Sequence, residues 1–198
     1  TTARWPEWRG SSLGTKNERG SEPVLIVGTL LSLLILIGFW TARGRLKASG
    51  FGFLAWDWTP ARTLVLAAAY GVLAALAIGW IFRGMRTGSL PSPSEVWMGI
   101  TFGPLAEELI FRGAVFHGVS SLLRRWWANS GWMTVLAVAG AFAASHLAKP
   151  DITSWQIVTV FATGSLYGWL RLQSGSTVPP FCAHAVYNAT VFAIAFLR

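Results

Sequence analysis

Glu107-Glu108-Leu-Ile-Phe-Arg112, Phe142-Ala-Ala-Ser-His146 and His184-Ala-Val-Tyr-Asn188 are three short polar signatures set inside apolar runs. On a helix, Glu108 and Arg112 stand one turn apart and can pair along one face. Glu107 is offset from Glu108 by about 100° and must point elsewhere, which leaves it a carboxylate free for chemistry. Phe142 and His146 share a face at the same four-residue spacing, as do His184 and Asn188. A free carboxylate, an ion pair, two His and one Asn on three helices are the parts of a general-base hydrolase. The carboxylate takes a proton from water, a His holds that water, and donors receive the oxyanion. Each part also has a purely structural reading: a Glu–Arg pair can lock helices, and a His or Asn in a span can bond one helix to another. The combination favours chemistry, because each helix carries its signature with little other polar content. His117 has no polar partner on its face and is expected at the interface, and Arg171 and Lys149 are expected to snorkel toward head groups.

The elements that position these residues are apolar. A bilayer core of about 30 Å needs roughly 20 apolar residues in a helix. Six runs approach that length: Val24 to Trp40, Thr63 to Phe82, about Val96 to Leu123, Trp132 to Leu147, Trp155 to Leu172 and Pro179 to Leu197. The third is unusual in holding Glu107, Glu108 and Arg112, and groups of that kind within a span are functional candidates by default. Pro104, which lacks a backbone donor, sets a kink or a helix start just ahead of them. The expected fold is all-α, a multi-span transmembrane bundle of about six helices, since backbone groups in lipid must be satisfied within each segment. A polar tail (1–22) precedes two amino-terminal spans with their loops (23–94) and a core (95–198). Trp residues such as Trp40, Trp80, Trp97, Trp126, Trp127, Trp132 and Trp155 mark the run ends as an interfacial belt, whereas Trp169 is expected to pack inside. Gly28, Gly71, Gly99, Gly103, Gly113, Gly140, Gly164 and Gly168 fall within runs, where small residues allow close helix approach.

Composition agrees. Of 198 residues 53% are hydrophobic and 12% charged, which leaves too little charge to cover an ordinary soluble domain. The formal charge of +8 is dispersed in short clusters between runs, so no nucleic-acid partner is expected. A single Cys, Cys182, excludes an internal disulfide and any CxxC zinc pair.

The three signatures, in this order, resemble those of the CAAX protease and bacteriocin-processing family (CPBP, or Abi), which includes the type II CAAX prenyl endopeptidases. Phe111-Arg112-Gly113, the stretch Gly164 to Arg171 and the stretch Ser174 to Pro180 also look like that family. The resemblance covers about residues 95 to 198. It implies an intramembrane endopeptidase core acting on a membrane-associated or lipid-anchored peptide or protein. Glu107 would be the general base, and His146 would help hold the water. His184 and Asn188 would stabilise the oxyanion, and Glu108 with Arg112 would orient the site. Two mechanisms fit these positions. The favoured one needs no cofactor, the carboxylate and His146 activating water directly; the other places Zn2+ on Glu107, His146 and His184. A non-catalytic scaffold or immunity-type protein of the same fold is the alternative function. A transporter is the least favoured, for want of an inverted repeat.

Overall fold

The computed structural model describes residues 50–81, 91–149 and 152–197, with isolated helical positions at Leu30, Leu34, Ile37, Gly38 and Thr41. The expected tail and nearly all of the first expected span, Gly28 included, lie outside the described residues. A 3-10 turn, Phe51–Leu54, leads into α1 (Ala61–Ile81) and α2 (Pro93–Ile100). Next come α3 (Phe102–Glu108), a π-helical segment (Leu109–Val115) and α4 (Phe116–Leu123). The chain ends in α5 (Gly131–His146), α6 (Ser154–Ser174) and α7 (Val178–Phe196). No strand occurs among the described residues, and the architecture is the expected helical bundle.

The second, fourth, fifth and sixth expected runs each fold as one helix. The third does not. Its chain breaks at Thr101, with φ −121° and ψ −86°, so α2 ends there and α3 begins. Each of the two helices has its own start. α2 starts from a capping box, in which Ser92 Oγ accepts from Glu95 N while Glu95 Oε2 accepts from Ser92 N. Donation from Ser92 N, and from Ser92 Oγ, to Glu95 Oε2 holds that carboxyl below its ordinary range. Downstream, Pro104 falls in the first turn of α3, where a missing donor costs no hydrogen bond. The structure takes the helix-start option for Pro104.

Polarity runs inside out. Val65, Leu66, Leu73, Leu76 and Trp80 are exposed along α1, and Trp132, Leu136, Trp155 and Val158 along α5 and α6. The interior meanwhile holds Glu108, Arg112, Thr134, His146, Thr177 and His184. Water would not tolerate that outer surface, but hydrocarbon would. Among the described residues, α1 and α7 are long and apolar enough to cross a membrane. At 1.5 Å per residue, the 21 residues of α1 reach about 31 Å. α5 is apolar but shorter at 16 residues, and α6 matches α1 in length but is interrupted by Gln156, Arg171 and Gln173.

The main packings are α1 on α7 and α5 on α6. α1 buries only Ala67, Gly71 and Ala75, a small-residue stripe at four-residue spacing. A Cβ on Gly71 would run into the Ala183 carbonyl of α7, so backbone meets backbone there. Gly164 and Gly168 likewise admit Phe142 and Val135 of α5. Gly140 differs: a Cβ there meets nothing within 4 Å, so it is not a contact glycine. Trp169 packs inward, edge-on to Tyr70, as its place within a run foretells.

A polar clasp joins the loop before α1 to the turn before α7. Thr177 donates through N to the Ala55 carbonyl (2.8 Å) and through Oγ1 to the Leu54 carbonyl (2.6 Å). Ser176 Oγ donates to the Asp57 carbonyl at 3.0 Å. Leu54 in turn lies against Gly113, so the clasp holds the loop onto the π-helical segment that carries Arg112.

Candidate functional site

Glu108 and Arg112 are the most deeply buried charges of the described residues, both at 0% exposure. They pair as the four-residue spacing predicts, with Arg112 Nη1 donating to Glu108 Oε1 at 3.2 Å. The pair straddles the junction of α3 and the π-helical segment. Such segments carry an extra residue per turn and recur at functional sites, because they change which side chains face inward. Arg112 Nη2 donates to the Gly164 carbonyl at 2.9 Å, and its guanidinium lies over the Phe142 ring (4.5 Å) and near the Tyr167 ring (5.4 Å). A carboxylate, a carbonyl and two aromatic faces thus replace part of the water this cation has lost, while its Nε is buried without a hydrogen-bond partner among the described residues.

His184 bridges the two carboxylates. Its Nδ1 donates to Glu108 Oε1 at 2.8 Å, and its Nε2 stands 3.8 Å from Glu107 Oε2. The carboxylate can only accept, which places the proton on Nδ1 and turns Nε2 toward Glu107. Tyr167 stacks on the imidazole with centroids 4.8 Å apart and planes 21° from parallel, and Phe142 meets it edge-on at 6.1 Å. Glu107 points away from the Glu108–Arg112 pair, as the helical offset requires. Its side chain is 34% exposed against 0% for Glu108, so it alone of the two can receive a water from outside.

His146 adjoins this cluster across the Phe142 ring, with centroids 4.8 Å apart. Its Nδ1 donates to the Phe142 carbonyl one turn back at 3.0 Å, which leaves Nε2 as the acceptor nitrogen. Asn188 shares the His184 face of α7, but its Nδ2 donates to the Gly99 carbonyl at 2.7 Å and ties α7 to the last turn of α2. One of its two amide protons is therefore already engaged. Glu107, Glu108, Arg112 and His184 form one connected group, with His146 beside it and Asn188 one turn along. Among the described residues no three His, Cys, Asp or Glu side chains are grouped as a metal site.

Two features escape sequence reasoning. Arg171, expected to snorkel, is half-buried instead: its Nε donates to the Arg112 carbonyl at 3.0 Å and its guanidinium lies over Phe116 at 5.2 Å. That inward carbonyl and a nearby aromatic face outcompete the head-group region. In the sequence Tyr167 stands out only as part of the family-like stretch Gly164 to Arg171, and its place three after Gly164 puts it on the glycine's inward face. His117 is exposed, with only a tilted contact to Phe53, in keeping with its expected place at the interface.

One family's sequence model, described as "Type II CAAX prenyl endopeptidase Rce1-like", matches residues 89–190. That range contains all three signatures and the whole cluster. Comparison with curated proteins and with solved structures gave no match.

Proposed function

The chain belongs to the type II CAAX prenyl endopeptidase family, a membrane-embedded protease family, and on that premise we propose that it is a multi-pass intramembrane endopeptidase working through a Glu107-activated water. Its substrate is a peptide or protein segment held at the membrane. The carrying observation is the division of labour between adjacent carboxylates: Glu108 is sealed and doubly engaged, whereas Glu107 is open and faces His184 Nε2.

In this reading Glu107 takes a proton from water as the water oxygen attacks the scissile carbonyl carbon. The carbonyl π electrons move to oxygen, and the new oxyanion needs donors. His184 donates to Glu108 through Nδ1; a proton taken up from solvent on Nε2 before the attack, and kept there through the step, gives it a second N–H to offer that oxyanion. The second amide proton of Asn188 is the other donor on that face of α7. His146 Nε2, free because Nδ1 is spent on the Phe142 carbonyl, accepts from the water and orients it. Collapse of the tetrahedral intermediate breaks the C–N bond, and the proton on Glu107 passes to the leaving amine. Arg112 and Glu108 act at one remove, holding His184 in its plane.

The test is Glu107→Gln in purified, reconstituted protein, with comparative proteomics of membranes from cells carrying either form. The expected result is loss of about 10²- to 10⁴-fold in rate, with an uncut membrane-anchored precursor accumulating. Normal processing by both Glu107→Gln and His184→Ala would instead favour a scaffold.

A further inference from the structure

His184 works only if its ring plane keeps Nδ1 on Glu108 and Nε2 toward Glu107, yet imidazole has a free torsion about its bond to Cβ. One hydrogen bond to Glu108 at 2.8 Å fixes a point, not a plane. Two aromatic rings bracket the imidazole. Phe142 meets it edge-on, while Tyr167 covers one face at 4.8 Å and 21°. Tyr167 is itself immobilised: it is 1% exposed, sits between Gly164 and Gly168 where α6 presses on α5, and lies beside the Arg112 guanidinium. Its hydroxyl is buried with no partner within the described protein. The hydroxyl therefore does not anchor the ring, and what this side chain contributes is a flat face.

We propose that Tyr167 is a positioning residue for the reaction: its ring clamps the His184 imidazole in the plane that lets it bridge Glu108 and Glu107. The clamp rests on the reading of His184 as a site group, but its geometry is testable without turnover. An unpartnered buried hydroxyl is dispensable, since removing it leaves no other group unsatisfied. Tyr167→Phe therefore keeps the clamp, and Tyr167→Leu abolishes it.

The chain has three His, so imidazole NMR on detergent-solubilised protein can be assigned by single His→Gln variants. Stacking under Tyr167 shifts the His184 ring protons upfield by its ring current, with exposed His117 as the internal reference. Tyr167→Phe retains that shift, and Tyr167→Leu loses it while the His117 signal stays in place. In a peptide-cleavage assay Tyr167→Leu lowers kcat by about 10- to 100-fold, the cost of a misplaced catalytic group, with KM little changed, and Tyr167→Phe restores kcat. A wild-type His184 signal without the upfield shift overturns the clamp even if the Leu variant does not fold. Equal loss of kcat in the Phe and Leu variants also overturns it, by moving the effect to the hydroxyl. Wild-type protein that cleaves nothing would sink the protease reading, and the spectra would still judge the clamp.

Discussion

Replacing Arg112 by Met isolates the energetics of the buried pair. The guanidinium donates to Glu108 Oε1 and the Gly164 carbonyl, and it rests on two aromatic rings. Two unit charges about 4 Å apart attract by about 4 kcal/mol at an effective dielectric near 20. The larger effect is what Met leaves behind: an uncompensated buried carboxylate, at a cost of about 3–5 kcal/mol. Glu108→Gln keeps an acceptor for His184 but strands the buried guanidinium without its counter-charge, at a like cost of about 3–5 kcal/mol. In the double variant the stranded carboxylate no longer exists, so the two costs must not add. The expected coupling is about 2–3 kcal/mol, near the upper end for residues in direct contact. Reversible unfolding in mixed micelles, driven by rising dodecyl sulfate and followed by tryptophan fluorescence, measures all four corners of the cycle. Additivity within about 0.5 kcal/mol would refute the idea that Arg112 is there to neutralise Glu108.

Thr177→Val removes the part-buried Oγ1 bond to the Leu54 carbonyl at nearly constant volume and should destabilise the protein by about 0.5–1.5 kcal/mol in the same titration. Gly71→Leu forces α1 off α7 at the Ala183 carbonyl and should cost about 1–3 kcal/mol or more, whereas Gly140→Ala should be neutral; equal effects at the two would contradict the packing described. Chelators should leave cleavage by pure protein unchanged; stoichiometric zinc, with activity lost on chelation and restored by zinc, would transfer the mechanism to a metal.

The helices were legible because lipid-facing helices carry apolar runs of a length set by the bilayer, and four of the five expected runs inside the described residues became single helices. The break at Thr101 was not legible as a break, because hydropathy continues across it: Met98 and Phe102 are as apolar as their neighbours, and only the backbone angles at Thr101 mark the change. The Glu108–Arg112 pair and the divergence of Glu107 follow from helical spacing alone, so they survived. Spacing could not say where Asn188 spends its amide, since Gly99 lies 89 residues away in sequence. Nor could it turn Arg171 inward, because a basic residue near a run end reads as a snorkelling one. The π-helical segment left no signal in residue type, nor did the long-range approach of Leu54 to its Gly113.

Adjacent carboxylates are an economical solution to a problem special to lipid. An active base must keep its charge and reach water, but the groups that orient it lie in a medium that penalises bare charge. One step along a helix turns the side chain by about 100°, enough to send Glu108 into a closed shell and Glu107 to its rim. His184, from a different helix, then touches both environments through its two nitrogens. Moving Glu108 by a single residue would swing it about 100° round the helix, off Arg112 and His184, so the sealed pair and the anchor of His184 would be lost together. The scarcity of charge in this chain thus has a structural counterpart. Among the described residues the fully buried charges are one cation, Arg112, and one carboxylate, Glu108, in balance, and in the proposed mechanism Glu107, outside that balance, is the carboxylate left to react.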